Sequence, residues 1–298
     1  MKSLPLSRAK LSLIAICLGI ASTSASAGAT GVLDPNNPCG LVNWQITGAI
    51  QSSAYSGTVT PLTDAINATD CAGVYTGNEG PTLNPSPNIG YLNDGLLNGQ
   101  DGLLSPTQFI SSGQLLDIQT PGNFIDPGWI KLGQLDGNAG ELGYSSITPE
   151  GFAAYSLSNV IKYTQTQDST VGGSWLLEVD KDIVSLLSAA GLSRSTFDHL
   201  AFSVKSSTSW AVYDFDFNFI NDQSLGSFDL NVPYTLSGTW TMNGDFENGS
   251  GTAQDISHVS VWARDPFDTN QVPLPGTVFL VAIGLLALGA VQKRATKA

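Results

Sequence analysis

The chain has 298 residues, with 12 lysines and arginines against 25 aspartates and glutamates and a formal net charge of −13. Three of the basic residues precede residue 28 and three follow residue 271, so the middle carries 6 basic and 25 acidic residues, a net charge of −19. A surface of that sign repels phosphates and anionic headgroups, which removes nucleic acid from the expected partners and leaves neutral glycans and divalent cations compatible.

Lys2, Arg8 and Lys10 stand before an apolar stretch at 11–21, which runs into the small-residue tract "STSASAGAT". A basic start, an apolar centre and an Ala-x-Ala site at Ala25 and Ala27 predict a secretory signal peptide over 1–27, cut after Ala27. Ile16 fills the position before Cys17 where lipoprotein processing needs a small residue, so Cys17 is expected to leave with the leader.

About 244 residues then lead up to residue 271, enough for one sizeable core, and the exported domain is read as 28–265. Cys39 and Cys71 enter a compartment that permits oxidation and are expected to pair. A metal site or a catalytic thiol lacks partners, since the only histidines are His199 and His258. The first 120 residues of this domain are rich in turn signals, among them "TGNEGPTLNPSPNIG". Within "YLNDGLLNGQDGLLS" the oxygens of Asn93, Asp94, Asn98 and Asp101 are the candidate calcium ligands. No glutamate closes that loop, and Asn-Gly and Asp-Gly are ordinary turn pairs, so the sequence reads as turns and no cofactor is required.

Further along, apolar residues recur at every second position. "GSWLLEVD" aligns Trp175, Leu177 and Val179, and "HLAFSVK" aligns Leu200, Phe202 and Val204. "TSWAVYDFDFNFI" puts Ala211, Tyr213, Phe215, Phe217 and Phe219 on one face, with Asp214, Asp216 and Asn218 on a face expected to be solvated. "YTLSGTWTM" and "HVSVWARD" repeat the pattern with Tyr234, Leu236, Trp240 and Met242, and with Val259, Val261 and Ala263. Period two with this aromatic content predicts half-buried strands. One stretch, "DKDIVSLLSAAGLS", predicts a helix, capped by Asp180 or Asp182, buried through Ile183, Leu186 and Leu187, and stopped by Gly191. The expected fold class is all-β, an antiparallel β-sandwich or jelly-roll-like single domain with one short helix.

Chemistry is sparsely signalled. There is no G-x-S-x-G elbow, H-E-x-x-H zinc helix or Walker loop. Among 25 acids no glycosidase pair can be picked out. His199 and His258 each open a strand beside apolar residues and read as hydrogen-bonded structural histidines, so no catalytic residue is assigned. Six tryptophans raise carbohydrate binding through stacked indoles, with Trp44 and Trp129 the two expected to be exposed.

A linker at 266–271 leads to the tail at 272–298, with an apolar helix expected at 277–291. The uninterrupted apolar run, 278–291, is 14 residues. As a helix it reaches roughly 21 Å, short of a hydrocarbon core of about 30 Å. Basic residues behind it are expected to stay cytoplasmic, with the domain outside. Val272, Pro273, Leu274 and Pro275, the short apolar helix, and Lys293 and Arg294 behind it resemble the PEP-CTERM sorting signal of Gram-negative bacteria. Leu274 departs from the name-giving motif, which has glutamate there. Leu274-Pro275-Gly276-Thr277 also resembles the sortase motif LPXTG, but Val278 stands where that motif has glycine. "DPGWIKLG", "FDHLAFSVK", "AVYDFDFN" and "SHVSVWARDP" are similar to a recurrent group of PEP-CTERM proteins. The resemblance implies an exosortase-type processing transpeptidase as partner and a transient inner-membrane intermediate. Delivery to the cell surface or its exopolysaccharide, as a structural or adhesive matrix protein, would follow. The alternatives are a carbohydrate-binding module and, behind it, a secreted glycan-active enzyme.

Overall fold

The computed structural model describes residues 32–33, 38–52, 59–79, 85–149, 151–169, 171–189, 197–247 and 250–264. Every strand pairing in them is antiparallel. The first sheet runs β1 (Val32–Leu33), β4 (Asp70–Thr76), β13 (Ser209–Asp216), β12 (His199–Ser206), β15 (Ile256–Arg264), β5 (Trp129–Asp136) and β7 (Gly143–Tyr144). The second runs β3 (Thr60–Asn67), β2 (Trp44–Gln51), β14 (Tyr234–Thr241), β11 (Gly172–Val179), β10 (Ile161–Ser169) and β6 (Gly140–Glu141). A two-stranded sheet pairs β8 (Ser146–Ile147) with β9 (Tyr155–Ser156).

The two large sheets meet through aromatic rings. Phe202 on β12 stands 5.3 Å from the ring of Trp44 on β2, 5.1 Å from Trp175 on β11 and 6.1 Å from Tyr163 on β10. Trp44 also stacks on Tyr213 of β13 at 5.6 Å. Rings from both sheets thus interdigitate, and Leu200, Val204, Tyr213, Phe215, Val259, Val261 and Ala263 join them in one core, as their alternation predicts. Gly238 on β14 lies opposite Trp175 on β11, where a Cβ would come within 2.2 Å of the indole and 2.0 Å of the Gln45 carbonyl. Glycine stands there, where β14 shifts register against β2, because the Trp175 ring lies across it.

Among the described residues, three of the four edge strands of the two large sheets are short and the fourth is irregular. β1, β7 and β6 are two residues each, and β3 carries Pro61 and a register shift against β2 between Ile46 and Gly48. Short, irregular edge strands give another chain little to pair with.

Two features depart from the sequence reading. The aromatic run stops being a strand at Asp216. Its carboxylate accepts the backbone N–H of Asn218 (2.9 Å) and Phe219 (3.1 Å), which starts a second helix, α2 (Phe217–Asp222), after α1 (Ile183–Ala189). Phe217 and Ile220 are buried in the helix while Phe219 is 45% exposed, so the expected five-residue aromatic face ends at Phe215. The second departure is the far face of the first sheet. Val212 and Asp214 do not face water: residues 85–128 lie across that face as a layer of turns and 3-10 segments, and Leu96, Leu97 and Leu104 pack there on Trp129, Trp210 and Trp262.

Candidate functional site

The chemistry-bearing side chains collect on this covered face. Strand alternation forces the choice: Leu200, Phe202 and Val204 point into the aromatic core, so His199, Ser203 and Lys205 must point outward into the layer between sheet and loops. At one end His199 Nδ1 lies 2.9 Å from the Asp214 carboxylate, with Asp216 at 3.9 Å from Nε2 and the Trp129 ring edge-on at 5.6 Å. Beside them Arg264 donates to Asp198 at 2.6 Å, to the Pro127 carbonyl at 2.9 Å and to the Gln114 carbonyl. Arg264, Asp198, His199 and Asp214 are all buried. One guanidinium therefore joins β15, the approach to β12 and two points of the covering layer.

At the other end Glu79 accepts hydrogen bonds from the Ser203 hydroxyl and from His258 Nε2. Lys131 donates to Gln134 at 3.1 Å with its ammonium 6.0 Å from the Trp262 ring, and Lys205 donates to the Ser206 carbonyl. Burial lowers the pKa of both lysines, against the opposing pull of the Glu79 charge. The carboxylate sits between serine and histidine here. A nucleophile relay needs the histidine in the middle, able to take the hydroxyl proton. Ser203 donates its hydrogen bond to Glu79 instead, so this carboxylate ties β12 and β15 together.

The His199–Asp214 pair makes folding pH-dependent. Burial pushes the Asp214 carboxyl up to about 6, against the pull of His199. Burial alone draws His199 down, but Asp214, Asp198 and Asp216 outweigh it and its pKa is raised above 6.5. Both groups hold protons more firmly folded than unfolded. The His199 contribution is complete below its unfolded pKa and is lost as pH rises through the raised folded value. For Asp214 it is the charged form that folding disfavours, so stability is gained as pH falls through about 6. Melting curves should therefore decline from about pH 5 to about pH 8, by roughly 1–1.5 kcal/mol from Asp214 alone, or about 3–5 °C. Asp214→Asn should flatten the profile; a midpoint that climbs over this interval would contradict the assignment.

The remaining sequence candidates are placed as follows. Cys39 and Cys71 form a disulfide, S–S 2.00 Å. Asp94 is buried and accepts N–H groups from Asn88 (3.3 Å), Ile89 (2.9 Å) and Gly90 (3.2 Å), while Asp101 is exposed on a left-handed turn at φ 58°. Asn98 donates to the carbonyls of Asp94 and Trp129 and accepts the Trp129 N–H, which fastens this loop to β5. The oxygens of Asp94 and Asn98 thus face N–H donors, and the segment folds as turns and 3-10 segments around its Asn-Gly and Asp-Gly pairs. Among the described residues no group of three or more His, Cys, Asp or Glu side chains is placed to hold a metal.

No known protein family, curated protein or solved structure matches this chain.

The expectation that Trp44 and Trp129 are exposed is corrected. They are 0% and 1% exposed, and the other four tryptophans are buried as well. Trp44 is needed between the sheets and Trp129 beneath the loop layer, so neither offers a sugar a free face. The solvated reading of Asp214 fails for the same reason, the covering layer, which one sequence window cannot reveal. Glu79 escaped notice because it stands alone between turn residues; its partners Ser203 and His258 are 124 and 179 positions away. Ala25, Ala27, Gly191, Val272, Pro273, Leu274, Pro275, Lys293, Arg294 and the helix expected at 277–291 lie outside the described residues. Among the described residues no helix is long and apolar enough to cross a membrane.

Proposed function

We propose that this chain is an exported protein of the bacterial cell surface or its polysaccharide matrix, with a structural or adhesive role and a β-sandwich, jelly-roll-like body. The observation that carries the reading is the tail. Val272-Pro273-Leu274-Pro275, a 14-residue apolar run and Lys293-Arg294 form an address too short to be a comfortable permanent anchor. Proline disfavours helix in the residue before it and has no N–H to donate, so the stretch ahead of the run is presented extended, as a peptidase or transpeptidase needs it. The Cys39–Cys71 disulfide supports an oxidising destination, and a middle segment of net charge −19 supports solubility outside the cell. The short, irregular sheet edges support a body that resists uncontrolled strand pairing at high local concentration.

Intact mass of the protein recovered from the surface of its native host tests the proposal. The expected species begins near Gly28 and ends within or just after the Pro-x-Pro stretch. Chains that still contain Phe279 through Arg294 would make the apolar run a resident anchor and end the sorting reading.

A further inference from the structure

The two large sheets do not close on each other completely. At the end where α1 lies, a cavity of about 80 Å³ remains between them. Leu200 and Ala263 of the first sheet and Leu177 and Leu236 of the second form its walls, and Ile183 and Leu187 of α1 close it. Interiors are packed as densely as organic crystals, and voids larger than a water are few in any domain. Water needs two to four polar partners to settle in such a space, and this lining is mostly aliphatic and aromatic side chains. The Tyr234 hydroxyl already accepts the Asp229 N–H, and the Nδ1 of His199 is committed to Asp214. The cavity also reaches solvent, because Val184, which helps line it, is 36% exposed.

We propose that this cavity is a binding site for the alkyl end of a neutral amphiphile. Its volume is about half that of an engineered apolar cavity of about 150 Å³ that holds benzene, so it suits a slender chain end better than a ring system. The charges beside the lining argue against an anionic head. Asp182 directly precedes Ile183, and Asp229 sits between Phe228 and Leu230, both of which line the cavity. Lys181 is held by Asp182 at 2.7 Å. A carboxylate tethered to the buried chain would be held near like charge, whereas a hydroxyl would not.

The test uses the exported protein, purified without detergent, with n-alcohols of increasing chain length as probes. Affinity should rise by about fourfold for each added methylene while the chain fills the cavity, then level off. Hexanoate should bind at least tenfold more weakly than n-hexanol. Saturating n-hexanol, at about a hundred times its Kd, should raise the melting midpoint by about 5 °C or more. Leu187→Trp, which fills the space, should abolish both the binding and the shift. If that variant does not fold, Val184→Trp blocks the mouth from a partly exposed position and should do the same. Absence of binding, an affinity that climbs with chain length without levelling, or binding unchanged in the filled variants would overturn the proposal. The last two would place the alcohol on the surface.

Discussion

Arg264→Ala is expected to destabilise the protein by about 3–5 kcal/mol, lowering the melting midpoint by about 10 °C or more. The magnitude follows from what the substitution leaves behind. Asp198 is buried, and its pKa is already raised by burial, with His199 and Arg264 holding it down. Without the guanidinium its charge has lost its hydrogen-bonded partner, and the Pro127 and Gln114 carbonyls lose their donor. These carbonyls belong to the layer over the first sheet, so the damage spreads from one ion pair to the packing of that layer on Trp129. A double-mutant cycle separates the terms. Arg264→Met alone keeps most of the volume and should still be severe, because Asp198 stays buried and unpaired. Arg264→Met combined with Asp198→Asn should recover much of the loss, since replacing both partners of a buried pair is often close to neutral. A double variant as unstable as the single one would show that the arginine acts through its carbonyl contacts instead.

Removing the disulfide should have an effect of similar size. Cys39 and Cys71 are 32 positions apart, and opening a loop of that length returns conformational entropy to the unfolded chain worth about 3–4 kcal/mol. The bond joins the lead-in to β2, beside the β3 edge of the second sheet, to β4 of the first, and the Cys39 N–H also bonds the Gly73 carbonyl at 3.2 Å. Cys39→Ala with Cys71→Ala is the appropriate pair, because a lone cysteine invites intermolecular oxidation. The expected outcome is a midpoint lower by roughly 6–15 °C with the folded spectrum retained. The untreated folded protein should take up no maleimide at Cys39 or Cys71 until a reductant is added. A loss below about 1 kcal/mol would mean that the unfolded chain is already compact around this loop.

Local pattern was sufficient where a residue's fate depends on its near neighbours. Leu200, Phe202 and Val204, or Trp175, Leu177 and Val179, alternate because successive side chains in a strand point to opposite faces, and that periodicity is written in consecutive positions. The same holds for α1, whose Ile183 and Leu187 are four apart and are both buried. The Asn-Gly and Asp-Gly turns around Asp94 were legible for a similar reason: their chemistry is complete within a few residues. The end of the aromatic strand was less so, because Asp216 can either continue the alternation or cap a helix, and only the packing of Phe217 and Ile220 selects the cap.

What the tertiary structure alone decided is the fate of the outward faces. Nothing near Trp129, Asp214 or His199 in the chain says that residues 85–128 fold back over the first sheet, and exposure is a property of what covers a residue. The same layer fixes Arg264 through Gln114, and Glu79, ahead of it in the chain, reaches His258 across a similarly long separation. Alternation therefore determined which residues share a face. The folding of distant segments onto that face determined whether it meets water, and with it the difference between a solvated acid and a buried, proton-holding one.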